Sequence, residues 1–344
     1  MIEKYGKRFD FASLGRNLDF IIETSNSEHA RCRRVIECND IIEVLSCPVC
    51  AAHPHGEYFS SYGFEYLRCL KCGHVFVKNQ PADLADLYTN GSQIQETIYI
   101  NEELFDRRCE LISGPKVEFI LEAICADYYD NSKSEGLWVD LGCGVGEILH
   151  EAGKRGYSAV GFDADPNEIR FAQSRGLSAY NILIDIPDLS DEIVTYLKDA
   201  KIVSLFNLIE HVPNPREWIS TITSHMQIGS YLVIDTPREP SLSRVMNIAC
   251  LAYNYRHMIP PEHINIFTEE SLGILAKENR LEWVAKWCFG TGFMDLFNSL
   301  LLLSDNPNIA LYDFGDILRA GDHIQKAVDE SGLANAMLCV FRKV

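Results

Sequence analysis

Between residues 137 and 289 short apolar runs alternate with stretches whose apolar positions recur three and four residues apart. That alternation of the two periods predicts strands and helices in turn, hence an α/β fold built on a parallel sheet. Strands are expected at residues 137–141, 157–162, 178–184, 200–206, 230–235 and 281–289, with a last one at 336–341. Helices are expected at 166–175, where Pro166 opens and Gly176 closes the pattern, and at 268–278, where Thr268 caps beside Glu269 and Glu270. Ahead of this core the pattern predicts helices near 101–111 and 115–130, broken at Gly114-Pro115, after a helical segment at 81–88. Residues 1–44 read as a helix with a short strand or two. Apolar residues 293–303 and a helix near 315–330 form an insertion where a hairpin would suffice; it is a candidate lid, pocket wall or dimer surface, and the run Leu300 to Leu303 favours burial.

The first strand of the core ends at Asp140 and runs into Gly142-Cys143-Gly144-Val145-Gly146 before the next helix begins. Three glycines at alternate positions let the backbone turn sharply and approach a ligand where a β-carbon would intrude. A dinucleotide loop would carry glycine at 147 and leave the helix start open to pyrophosphate, yet position 147 is glutamate. Glu147 and Asp140 disfavour a diphosphate and favour a ligand carrying an ammonium and a sulfonium, as S-adenosylmethionine (SAM) does. The second strand ends at Asp163 in Gly161-Phe-Asp163-Ala164-Asp165, placed to accept hydrogen bonds from ribose hydroxyls.

The segment Asp140-Leu-Gly142-Cys143-Gly144-Val-Gly146, with Asp163 after it, resembles motif I of the class I SAM-dependent methyltransferases. The resemblance implies a Rossmann-like sheet of seven strands with the last antiparallel, and a cofactor site formed by Asp140, Gly142, Cys143, Gly144, Gly146, Asp163, Ala164, Asp185 near the adenine, and Asn207. Phe206-Asn207-Leu-Ile-Glu210-His211-Val-Pro213 resembles the segment after the fourth strand in small-molecule methyltransferases, including ubiquinone-type O-methyltransferases. Pro260-Pro261-Glu262-His263-Ile-Asn265-Ile-Phe267-Thr268 resembles the family's segment before the last core helix, where the histidine can look into the acceptor pocket. His263 and His211 are thus the catalytic candidates, each a general base or a supporting residue.

Cys47-Pro-Val-Cys50 and Cys69-Leu-Lys-Cys72 are separated by eighteen residues. Two C-x-x-C pairs at that spacing predict a four-thiolate zinc ribbon, and a complete thiolate set closes the coordination sphere, so the zinc is expected to be structural. His53, His55 and His74 are then expected to be solvent-facing. Tyr88 and Tyr99 are candidate pocket residues, although aromatics at helical spacing are more often core. A ribbon ahead of this core is similar to that of bacterial sugar-modifying methyltransferases. The chain departs from their C-methyltransferases at Pro260, where those carry tyrosine.

The expected organisation is an extension (1–45), the ribbon (46–80), a helical connector walling the pocket (81–135) and the methyltransferase domain (136–344) with its 290–335 insertion. Composition narrows the partners: 49 acidic against 31 basic residues leave a net charge of −18, which repels phosphate backbones. A zinc-ribbon RNA methyltransferase is the rival enzyme class, and a non-catalytic SAM-fold binding or assembly module is the rival non-enzyme. The intact glycines and Asp163 weigh against the second. With no apolar run near the ~18 residues of a membrane span and no signal-like start, the reading is a cytoplasmic enzyme acting on a small-molecule acceptor, a sugar or a glycan-pathway or natural-product intermediate, with a homodimer possible.

Overall fold

The computed structural model describes residues 1–7, 18–53, 55–82, 99–127, 136–186, 188–249, 257–304 and 315–344. Strands run in chain order β1 (Ile2–Tyr5), β2 (Ile41–Glu43), β3 (His55–Ser61), β4 (Phe64–Cys69), β5 (Val75–Val77), β6 (Asn79–Pro81), β7 (Leu137–Leu141), β8 (Ser158–Asp163), β9 (Ala179–Asn181), β10 (Ala200–Phe206), β11 (Tyr231–Pro237), β12 (Asn265–Ile266), β13 (Leu281–Phe289) and β14 (Ala336–Lys343). The α-helices are α1 (Leu18–Cys38), α2 (Glu102–Arg108), α3 (Gly114–Asp127), α4 (Glu147–Lys154), α5 (Pro166–Ser174), α6 (Asp191–Asp199), α7 (Pro215–His225), α8 (Leu242–Ala249), α9 (Glu269–Glu278), α10 (Gly292–Leu302) and α11 (Gly315–Val328). The expected helical segment at 81–88, with Tyr88, falls almost entirely outside the described residues.

The main sheet has the order β1-β13-β14-β11-β10-β7-β8-β9, with β14 antiparallel to both its neighbours and every other pairing parallel. All seven expected strands are present. An eighth, β1, comes from the extension and pairs parallel with β13, Ile2 opposite Ala285. A short strand or two is expected in the extension, and the open edge of β13 is what pairs β1 into the main sheet.

Period-two alternation sorts the sheet's side chains into two apolar layers. Val139, Leu141, Phe162, Val203, Leu205 and Ile234 face α6, α7 and α9. Trp138, Ile202, Val233, Trp287 and Val340 face α3 and α4 on the other side.

Three expectations are corrected. Gly114-Pro115 does not break the chain between helices: a π-helical turn (Cys109–Ser113) carries α2 directly into α3. Pro115 lacks the N–H an α-turn would use, and the wider turn absorbs that loss. Leu300 and Leu303 are 60% and 55% exposed, because α10 spends its buried positions, among them Met294, Asp295 and Ser299, on the contact with α8. The third core strand is only Ala179–Asn181, its ladder with β8 ending at the Asp163–Asn181 pair.

The ribbon forms its own sheet, order β12-β5-β4-β3, and its fourth strand belongs to the segment containing His263. A single apolar cluster joins α1 (Cys32, Val35), the ribbon (Phe64, Tyr66, Val75, Val77) and that segment (Met258, Ile264, Ile266).

Candidate active site

The glycine loop connects β7 to α4 with Gly142, Gly144 and Gly146 all at positive φ (75°, 51° and 85°). A β-carbon at Gly146 would come within 2.6 Å of Leu177, so both backbone conformation and space require glycine. The loop amides of Gly142 and Cys143 donate to the Phe162 carbonyl of β8, and Cys143 packs its side chain over Gly161. Asp163 stands at the end of β8, its Oδ2 accepting from the Gly144 amide and its Oδ1 from the Asp165 amide, each at 2.9 Å. Ala164 follows it. Asp165 caps α5 through the amides of Asn167 and Glu168.

Asn207 leaves β10 in a left-handed conformation (φ 48°), exposed at the strand's carboxyl end. The structure therefore gathers Asp140, the three glycines, Cys143, Asp163, Ala164 and Asn207 at the carboxyl ends of β7, β8 and β10, where open α/β sheets bind ligands. Asp185 is exposed beyond β9.

Acidic groups crowd this rim. Asp140 is 1% exposed, takes the Ser204 hydroxyl on Oδ1 at 2.5 Å, and is pushed up to about 8 by burial. Burial also raises Asp163, and raises Glu168 to about 8. Burial thus favours the protonated forms of these carboxyls, and a sulfonium or ammonium group would favour the ionised ones. Glu147, expected to act on the cofactor's charge, instead accepts from Arg108 Nε at 2.5 Å and from the Ser113 hydroxyl at 2.6 Å. Its charge is spent on α2 and the π-turn. Tyr99 lies under the same Arg108, 4.5 Å from its guanidinium.

Ile209–His211 form a 3-10 turn after Asn207, with the rings of His211 and His263 4.8 Å apart in an edge-to-face pair. The Nδ1 of His211 lies 3.1 Å from the Glu262 carbonyl, and that of His263 lies 2.5 Å from the His257 carbonyl. A carbonyl can only accept, so each Nδ1 carries a proton. Burial, and then the neighbouring His263, hold His211 well below its usual range. Glu210 is fully buried between them and β11: Oε2 accepts from Thr236 at 3.0 Å, Oε1 has no partner among the described residues, and burial raises the group to about 8. Donor atoms of Glu210, His211 and His263 lie within 4.8 Å of one another.

Sequence reading missed Glu210, the buried Lys116–Asp235 ion pair at the end of β11, and Glu262, whose carboxylate pairs with Arg31. Only Glu210 and Glu262 had a signal, each standing beside a candidate histidine.

Cys47, Cys50, Cys69 and Cys72 bring their sulfurs within 4.8 Å of one another, with Cys47 to Cys72 at 3.6 Å and Cys50 to Cys69 at 3.5 Å. The edge of a tetrahedron with Zn–S bonds of about 2.3 Å is about 3.8 Å, so the donor set fits that ion. The hydrogen bond from Cys72 pulls the Cys47 thiol down. His74 is not solvent-facing as expected: it is fully buried, with Nε2 3.0 Å from Asn265 Oδ1 and its ring against Phe267, because β12 closes over the ribbon there. His53 is exposed; the His55 side chain lies outside the described residues.

Residues 115–286 match the family model described as "Methyltransferase domain". The chain is 24% identical over 193 residues to the ubiquinone biosynthesis O-methyltransferase of Rickettsia prowazekii (strain Madrid E), covering 50% of this chain and 74% of the relative. It is 24% identical over 163 residues to the enzyme of the same name from Leptothrix cholodnii, covering 46% and 65%. The magnesium protoporphyrin IX methyltransferase of Synechocystis PCC 6803, crystallised with S-adenosyl-L-homocysteine (SAH), aligns over 76% of this chain and all of its own at 12% identity and a TM-score of 0.48. With the glycine loop, the acidic strand ends and the antiparallel last strand in place, the chain belongs to the methyltransferase-domain family and is a SAM-dependent methyltransferase of class I.

Proposed function

We propose that the chain transfers the SAM methyl group to a hydroxyl of a small-molecule acceptor, of the sugar or natural-product-intermediate class, with His263 as general base and His211 supporting it. The observation that carries this reading is the pair of imidazoles 4.8 Å apart behind Asn207, each held by a hydrogen bond from its Nδ1 to a backbone carbonyl. The sulfonium is already activated, and the chain's task is to align the acceptor oxygen for in-line attack and take up its proton as the O–C bond forms and the S–C bond breaks. Asp163 holds the ribose in this reading, Asn207 and the glycine loop line the methionine end, and Asp140 answers the cofactor's positive charge.

The four cysteines hold one structural zinc, supported by their spacing and sulfur separations. The ribbon's β5 edge is occupied by β12, which favours a scaffold for the acceptor side over a surface gripping RNA. Incubating the protein with methyl-labelled SAM and a panel of nucleotide sugars, polyhydroxylated phenols and ribosomal RNA tests the reading. Label is expected in a small-molecule product; label in RNA alone would overturn it.

A further inference from the structure

We propose that Arg31, on α1, is a positioning residue for the two-histidine site, acting through Glu262. The inference rests on the reading that His211 and His263 face the acceptor, and it concerns a helix outside the matched residues 115–286.

Arg31 is 7% exposed and its guanidinium reaches two carboxylates, Glu28 on its own helix at 2.5 Å and Glu262 beside His263 at 2.6 Å. Glu262 is 6% exposed, and among the described residues Arg31 is the cation that pairs with it. Its carboxylate is fixed by Arg31 while its own carbonyl accepts from His211 Nδ1, so a single residue links the guanidinium to the imidazole. Neighbouring contacts brace the same segment: the Cys32 thiol donates to the Pro260 carbonyl at 2.8 Å, and the Tyr66 hydroxyl to the His263 carbonyl at 2.9 Å.

Removing the guanidinium would leave two buried carboxyls facing each other with no shared cation, a strongly unfavourable arrangement relieved by protonation or by movement of the segment. Movement takes the Glu262 carbonyl away from His211. The proton then has no reason to stay on Nδ1, and in water imidazole prefers it on Nε2. The tautomer of His211, and with it which ring nitrogen donates and which accepts, would change. Lysine restores the charge but not the fork that spans two carboxylates, so it should restore the arrangement only in part.

Long-range ¹H–¹⁵N spectra of the imidazoles, recorded on the SAH-saturated full chain at neutral pH, read this directly. The wild-type protein should show His211 in the Nδ1–H form, Arg31→Met a mixture or the Nε2–H form, and Arg31→Lys an intermediate state. SAH affinity should change less than about twofold, while kcat on an acceptor from the panel falls roughly 10- to 100-fold, the scale of a misplaced catalytic group. An unchanged His211 tautomer in Arg31→Met, or an Nε2–H form already in the wild type, overturns the proposal. Should Arg31→Met fail to fold, Glu262→Gln keeps the shape and removes the charge, and an unchanged tautomer there overturns it equally. If the tautomer shifts as expected but His211→Ala and His263→Ala both keep full turnover, the positioning stands and the general-base reading falls.

Discussion

Asn265 of the segment that carries His263 is the antiparallel ladder partner of Phe76 in the four-cysteine ribbon. Two parts of the chain that look like separate modules in the sequence are therefore one sheet. The Asn265 side chain extends the link, bonding His74 through Oδ1 and the Val212 carbonyl through Nδ2.

Loss of the metal should consequently act on methyl transfer before it acts on cofactor binding. Elemental analysis of the wild type should find one zinc per chain, and Cys69→Ser should lose it, since three thiolates bind zinc far less well than four. Calorimetry should still detect SAH binding to the mutant, because the glycine loop and β8 lie in the other sheet. Full zinc occupancy in Cys69→Ser would rule out the four-thiolate site.

Asp163→Ala should weaken SAM and SAH alike, by about 1.5–3 kcal/mol, the usual worth of a hydrogen bond to a charged group. Part of that loss will be indirect, since Asp163 also holds the Gly144 and Asp165 amides. Asp163→Asn keeps one acceptor oxygen and should lie between the two. Equal titration curves for all three proteins would move the ribose site elsewhere.

His263→Ala should lower kcat by a factor of about 10²–10⁴ with little change in SAM affinity, as expected for loss of a general base. His211 follows the turn at the end of β10, next to Asn207, so His211→Ala should disturb rate and cofactor binding together. Full turnover in His263→Ala with none in His211→Ala would reverse the two roles.

Affinity for SAM should rise relative to SAH as pH increases from about 5 to 8. Asp140 and Glu168 are raised to about 8 and Asp163 is raised as well, so in this window the unliganded protein holds protons that the sulfonium must displace. SAH lacks the sulfonium charge and should show the weaker dependence. The same raised groups cost stability in the opposite sense: their contribution is complete below their unfolded values and is lost as pH climbs through the folded ones, so the unliganded protein should melt lower at pH 8 than at pH 6. Calorimetry in buffers of different ionisation enthalpy would detect the protons released, and an SAM-to-SAH ratio flat across the range would refute the assignment.

Much of the core was legible because its signals are local. The ends of β10 and β13 fall where the apolar runs end, and the glycine loop and the cysteine pairs are dense motifs whose partners lie only 19 to 25 positions away. Contacts closed by the tertiary fold were not legible. Nothing near Arg31 announces Glu262, 231 positions away, and Lys116 and Asp235 are 119 positions apart. Glu147 was read correctly as an acid in the first turn of a helix, but its partner was set by packing against α2. His74 looked like a loop histidine because the strand that buries it comes almost two hundred residues later.

The order of strands also constrains the order in which the chain can assemble. Trp287 donates from its indole to the carbonyl of Gly6, 281 positions earlier, and β14 must slide between β11 and β13 to complete the sheet. During synthesis β1 therefore waits for a partner until β13 has emerged, and β13 stays open on one side until β14 follows. All four ribbon cysteines emerge well before either event, and they can gather a metal while the ribbon still lacks its fourth strand. A nascent chain thus passes through a long interval in which the ribbon's own three strands are made but the edge awaiting β12 is bare, and contacts so distant in sequence make the final closure slow.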